Sequence, residues 1–137
     1  MSNMTERQTI SSGTHWEAMA GYSRAIRYGN QVFVAGTTAT DADGNIVGRD
    51  DPAEQTRFIL QKIEAALKAA GASLKDVVRT RVYVVNIEQW EPVARVHGEV
   101  FAEIRPANTL LAIDALVGPG YLVEIEADAI IGAGDAI

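Results

Sequence analysis

Ile104-Arg105-Pro106-Ala107-Asn108-Thr109 and, further on, Val123-Glu124-Ile125-Glu126-Ala127-Asp128 are the segments from which the fold is read. Both have the character of β-strands, and the Gly/Pro loop Val117-Gly118-Pro119-Gly120 lies on the chain between them. Strand side chains alternate faces, so Glu124, Glu126 and Asp128 share one side while Val123, Ile125, Ala127 and Ala129 share the other. The apolar side needs a cover, and the acidic side needs cations or water. Val77 to Asn86, the longest β-branched run, offers two cations: Arg79 and Arg81, with Tyr83, alternate with an apolar set of Val78, Thr80, Val82 and Val84. Placed in one sheet, the two charged faces would neutralise each other, as opposite charges on neighbouring strands ordinarily do.

Two helices supply the cover. Asp51-Pro52-Ala53-Glu54 is a strong start signal: an N-cap, Pro at the first helical position and an acid at the third. Ile59, Leu60, Ile63, Leu67 and Ala70 follow at helical spacing, and Gly71 stands where a helix stops. A second helix opens near Pro92, with Val93, Val96, Val100, Phe101 and Ile104 as its buried stripe and His97 at the stripe's edge. Upstream, Ser23 to Tyr28 and Gln31 to Gly36 flank Gly29-Asn30 as a hairpin. The small residues Ala35-Gly36-Thr37 end the second of these strands, at a bulge or at a close approach of backbone to ligand. A turn at Asp41 to Gly44 leads to a short extended piece at Asn45 to Val47.

The resulting order is β-β-(β)-α-β-α-β-β, an α+β fold with a mixed sheet and both helices on one face. Residues 1–20 show no period and read as a loose arm with a short strand near Gln8 to Ser11. Residues 21–131 form a single domain, and 132–137 a frayed tail. The bare sheet face, carrying Arg79, Arg81, Tyr83, Glu124, Glu126 and Asp128, suits burial against copies of the chain better than full exposure.

Composition narrows the chemistry. The chain has 137 residues, 47% hydrophobic and 22% charged, enough for one core without staples. No cysteine is present, which excludes disulfides, thiolate metal sites and cysteine nucleophiles. The triplet His97-Gly98-Glu99 therefore lacks the cysteine pair that a zinc deaminase needs. With two histidines in the chain, no metal is expected. Walker A, G-x-G-x-x-G and Gly-x-Ser-x-Gly patterns are all missing. A net charge of −6 and a pI of about 4.8 disfavour nucleic acid as partner. No apolar run is long enough to cross a membrane, and a cytoplasmic location is expected. What remains is Glu124 or a neighbouring acid as a general acid/base acting through water, unless Arg79 and Arg81 hold the acids ionised.

The segments Gly21-Tyr22-Ser23-Arg24-Ala25, Val32-Phe33-Val34-Ala35-Gly36, Glu54-Gln55-Thr56-Arg57 and Ala70-Gly71-Ala72-Ser73-Leu74 together resemble the RidA/YjgF family. So do Asp76-Val77-Val78-Arg79-Thr80, Arg105-Pro106-Ala107-Asn108-Thr109 and Val123-Glu124-Ile125-Glu126-Ala127, in order from about residue 20 to 131. The resemblance implies a chorismate-mutase-like fold and a homotrimer binding a small metabolite in clefts between subunits. It also implies hydrolysis of enamine/imine intermediates to 2-oxo acids and ammonia, without metal or organic cofactor. Carried over residue by residue, Glu124 positions water, Tyr22 lines the cleft, Gly36 offers a backbone contact and Trp90 an aromatic from the neighbouring subunit. Thr37 beside Gly36 and Leu110 beyond Asn108 complete the expected binding set. In the deaminases an arginine follows Pro-Ala and grips the substrate carboxylate. Here that position is Asn108, a neutral amide that cannot make the charge-assisted pair. Arg105 lies three residues earlier, before a Pro, and strand alternation aims it elsewhere. An asparagine found in the second helix of some deaminases is Ala94 here. Three readings follow: a deaminase with a non-standard substrate, a metabolite-binding trimer without turnover, and the endoribonuclease label that the family carries, which the acidic balance disfavours.

Overall fold

A computed structural model of the chain describes residues 6–137. The first five residues of the expected arm lie outside the described residues. The remainder of that stretch is not loose. It contains strand β1 (Arg7–Ile10) and helix α1 (His15–Ala20), and β1 pairs antiparallel with β2 (Ala25–Tyr28). Helix α1 shows no apolar stripe because a polar cluster holds it. Glu17, 6% exposed, accepts hydrogen bonds from Ser11 Oγ at 3.0 Å, Thr14 Oγ1 at 3.2 Å and the Ser12 amide and hydroxyl. Burial alone would raise the Glu17 pKa, but the bonds from Ser12, Ser11 and Thr14 outweigh it and hold the carboxyl below its ordinary value.

The hairpin forms as the Gly-Asn turn requires. Strand β2 pairs with β3 (Gln31–Thr37) in a register that sets Tyr28 opposite Gln31, and Gly29 takes φ 61°. The extended piece at 45–47 reduces to a single bridge between Thr40 and Ile46. Helix α2 (Pro52–Ala69) starts where the sequence signals it: the Asp51 carboxylate accepts the Glu54 amide at 3.1 Å, a cap worth about 1 kcal/mol. It ends at Gly71, φ 86°. Ile59, Leu60, Ile63 and Leu67 are all buried.

Strand β4 (Val77–Val84) leads to helix α3 (Trp90–Phe101), which forms the crossover to β5 (Ala107–Ala112) that a parallel pair needs. Strand β6 (Val123–Ile130) then inserts between β3 and β4, giving the order β1-β2-β3-β6-β4-β5. The two segments that reveal the fold are thus both strands but not neighbours, since β4 separates them. A register break between Val77 and Arg79 buries Val77 and leaves Val78 only half-buried, against the simple alternation. Both α2 and α3 cover the face carrying Val32, Val34, Val82, Ile125 and Ala127, and that layer is the core. The C-terminal segment is docked rather than frayed: Asp76 Oδ1 accepts the amides of Gly132 at 3.1 Å and Gly134 at 3.0 Å.

Candidate active site

The register of β4 and β6 sets Arg79 opposite Asp128, Arg81 opposite Glu126 and Tyr83 opposite Glu124. The opposed charges expected from the sequence therefore do meet, on the face that the helices leave bare. Arg81 takes both acids, reaching Asp128 at 3.2 Å and Glu126 at 3.4 Å. The Tyr83 hydroxyl donates to Glu126 at 3.0 Å. Burial raises the Tyr83 pKa, and its bond to Glu126 adds to the shift. Beside this network lies a shallow, open hollow of ≈ 400 Å³ lined by Tyr22, Ile26, Phe33, Arg81, Glu126 and Asp128. Phe33 is 45% exposed and Tyr22 40%, so one wall of the hollow is aromatic and bare.

Glu124 stands one strand position beyond that lining, and Arg81 does not claim it. Its neighbour is the bulge of β3, where the pairing with β6 skips from Val34 to Thr37. The glycine there leaves room for the carboxylate in its present position: a Cβ on Gly36 would overlap Glu124 Oε2 and lie 3.0 Å from Cδ. Burial pushes the Glu124 pKa above the ordinary carboxylate value, the Arg24 charge opposes this, and the Glu126 charge reinforces it. A carboxyl so placed can exchange a proton nearer neutral pH than a solvated one.

Arg24 is the residue that the sequence reading passed over. It immediately precedes β2, and its Nη1 donates to the Gly36 carbonyl at 3.0 Å and to Thr37 Oγ1 at 2.8 Å. Its Nε is buried with no hydrogen-bond partner, and the guanidinium sits 5.8 Å from the centre of the Tyr22 ring. The signal in the sequence was an arginine abutting Ala25, the first buried residue of the hairpin. A cation beside a fully buried strand position needs acceptors, and the bulge supplies them. Thr37 is itself buried, and its hydroxyl donates to the Ala35 carbonyl at 2.8 Å. Behind the bulge, Lys62 of α2 donates to the carbonyls of Thr38 and Thr40 at 2.8 and 2.9 Å. Burial and then the Arg24 charge lower its pKa to about 8, against an opposing pull from Asp41.

Asn108 and Leu110 lie on the other side of the sheet. Asn108 pairs with Thr80 in register, and its Nδ2 donates to Thr80 Oγ1 at 3.0 Å. Thr80 is fully buried and lies 2.8 Å from His97 Nε2 of α3. Leu110 packs half-buried against the core. Trp90, at the start of α3, is 49% exposed. Within one chain, then, Tyr22, Gly36, Thr37 and Glu124 cluster, while Asn108 and Leu110 face the helix side of an edge strand. Arg105 adopts φ 54° and its Nε bonds back to the Ala102 carbonyl at 3.1 Å, so it does not take the place of a cation at Asn108. No group of three acidic or histidine side chains is placed to hold a metal among the described residues. No helix among them is long and apolar enough to cross a membrane.

The Endoribonuclease L-PSP family model matches residues 13–131. The chain belongs to this family, the YjgF/RidA family. A crystal structure of Rv2704 from Mycobacterium tuberculosis, described as a member of the YjgF/YER057c/UK114 family, is 49% identical with TM-score 0.84, covering 92% of this chain and 100% of that one. YjgF of E. coli is 26% identical with TM-score 0.78, covering 90% and 98%. The 3-aminoacrylate deaminase RutC of Acinetobacter baylyi is 35% identical over 107 residues, 78% of this chain and 84% of its own length. The six-stranded mixed sheet with its helices is thus the YjgF/UK114 fold.

Proposed function

We propose that the chain assembles as a homotrimer and hydrolyses a small enamine or imine metabolite, releasing ammonia, in a cleft between copies. Glu124, half-buried against Gly36 with a raised pKa, is the observation that carries this reading. Its carboxylate takes a proton from a water molecule as the water oxygen bonds to the imine carbon. The protonated carboxyl then returns that proton to the nitrogen of the tetrahedral adduct. The carboxylate then carries the adduct's hydroxyl proton to the nitrogen as the C–N bond breaks, leaving a carbonyl product and ammonia. An imine carbon is already electrophilic, so the step calls for neither a metal nor an organic cofactor.

The bare sheet face supports assembly, since Phe33, Tyr83 and an ion-paired acid network would otherwise stand in water. Assembly also answers the separation of Glu124 from Asn108. Two residues on opposite faces of one sheet reach a common ligand only if different copies supply them. Tyr22, Gly36, Thr37 and Trp90 complete the proposed binding set together with Asn108 and Leu110. The name of the RutC relative, at 35% identity, lends weight to deamination as the chemistry. We place the protein in the cytoplasm.

The test couples the purified protein to an enzyme that generates 2-aminoacrylate and follows ammonia. Accelerated release that disappears in Glu124→Gln is expected, and no acceleration with any small enamine rejects catalysis. A second reading, metabolite binding without turnover, is favoured by one observation: an N–H of the Asn108 amide is spent on Thr80 instead of a ligand. Nuclease activity has less support, because the bare face is as rich in Glu and Asp as in Arg.

A further inference from the structure

We propose that Asn108 turns its carbonyl oxygen, not its NH2 group, to the bound molecule, so that the ligand meets it with an N–H donor where an anionic group would be repelled. This rests on the reading of Asn108 as a cleft residue and specifies what that cleft selects. The two ends of a carboxamide are nearly equal in size, so the hydrogen-bond network behind it decides which end faces outward. Here the bond from Asn108 to Thr80 sets which end that is. Asn108 Nδ2 donates to Thr80 Oγ1 at 3.0 Å. Thr80 Oγ1 lies 2.8 Å from His97 Nε2, and donating its single proton there satisfies the amide, the hydroxyl and the ring together. Nε2 then accepts, and the imidazole proton sits on Nδ1. Burial favours the neutral ring that this arrangement needs, and Phe101 packs against the ring at 4.6 Å between centroids. Thr80 has no exposure to water, so water cannot supply an alternative partner.

Asn108 itself is exposed on an edge strand, and with one N–H held inward by Thr80 its Oδ1 is the end of the amide turned away from the sheet network. A carbonyl oxygen accepts from an amide, amine or iminium nitrogen and repels a carboxylate. Reversing the amide would require Thr80 to donate to Asn108 and His97 to move its proton to Nε2. The reversal thus costs a tautomer change in a half-buried ring, three residues deep in the fold. The substrate class that follows is a small carbonyl or imine compound carrying a neutral or cationic N–H group, such as a primary amide, in the place of a free carboxylate.

Pyruvate and pyruvamide form a matched pair that differs only in O⁻ against NH2. Calorimetric titration of the wild-type protein is expected to show pyruvamide bound about tenfold tighter, or ~1.4 kcal/mol, and Asn108→Ala should remove the preference. Tighter pyruvate, or a preference that survives in Asn108→Ala, overturns the proposal. Long-range ¹H–¹⁵N NMR of His97 reads the polarity without any ligand: a proton on Nδ1 supports it, and a proton on Nε2 overturns it. A pyruvamide preference in a protein that releases no ammonia supports this inference while rejecting the deaminase reading. If neither compound binds although His97 carries its proton on Nδ1, Asn108 is not a cleft residue and the selectivity inferred here is wrong.

Discussion

Gly36 and Glu124 meet where the β3–β6 ladder skips a residue, and the carboxylate occupies the volume that any side chain at position 36 would need. The glycine is there for space, since its backbone is not in the left-handed region. Gly36→Ala should therefore leave folding nearly intact, within about 1 kcal/mol, because the flexible end of Glu124 can swing aside. Moving that carboxylate by about an ångström should lower turnover by about 100-fold. Thermal unfolding beside the coupled ammonia assay separates the two effects. A variant as active as wild type would remove Glu124 from the reaction.

Glu124 also makes a prediction about pH. Its pKa is higher in the folded chain than in the unfolded one, so the folded state binds the proton more tightly. The contribution to stability is fully present below the ordinary carboxylate pKa and is lost as pH rises through the folded value. Glu124→Gln should accordingly melt higher than wild type at pH 7.5, with the gap closing near pH 4. Equal melting temperatures at both pH values would place the carboxylate in open solvent.

Gln55 ties together the loops that deliver β6. Fully buried, it donates from Nε2 to the carbonyls of Gly48 at 3.1 Å and Gly120 at 3.0 Å, and accepts the Leu122 amide at 2.9 Å. Gln55→Leu keeps the bulk but strands three backbone groups, which should cost at least ~3 kcal/mol. Urea denaturation measures it. A loss under 1 kcal/mol would mean that water reaches those groups.

Lys62 should titrate in the folded protein near 8, where burial and Arg24 place it. Because this pKa lies below the ordinary lysine value of 10.5, the unfolded chain holds the proton over that interval and stability should rise with pH from about 8 to 10.5. In Lys62→Gln this rise should vanish. Denaturant midpoints across the interval provide the comparison. Parallel profiles for the two proteins would show that the ammonium is already solvated at the loop carbonyls.

Some positions were unreadable for identifiable reasons. Helix α1 has no apolar period, and its stability comes from Glu17 and the hydroxyls before it. Thr14 and Glu17, three apart, carry the Thr-x-x-Glu start pattern that could have announced it. Asp76 anchors the chain end through Gly132 and Gly134, 56 and 58 residues away, a partnership that no pattern around position 76 announces. Arg24 carries no local signal of its partners, because only the bulge of β3 gives it acceptors.

The amino-acid sequence by itself determined the helices α2 and α3, the strands β2 to β6 and which side of most of them is apolar. Alternation, helical period, caps and turn glycines act between residues a few places apart, so they survive in a one-dimensional reading. It also placed Arg81 and Glu126 on faces that could meet. Tertiary structure alone decided that β6 lies between β3 and β4, and that Asn108 turns toward Thr80 and His97 while Glu124 rests on Gly36 across the sheet. Those outcomes depend on pairing among segments far apart in the chain. Closing such loops is repaid only by the sheet and core as a whole, and no local pattern encodes it.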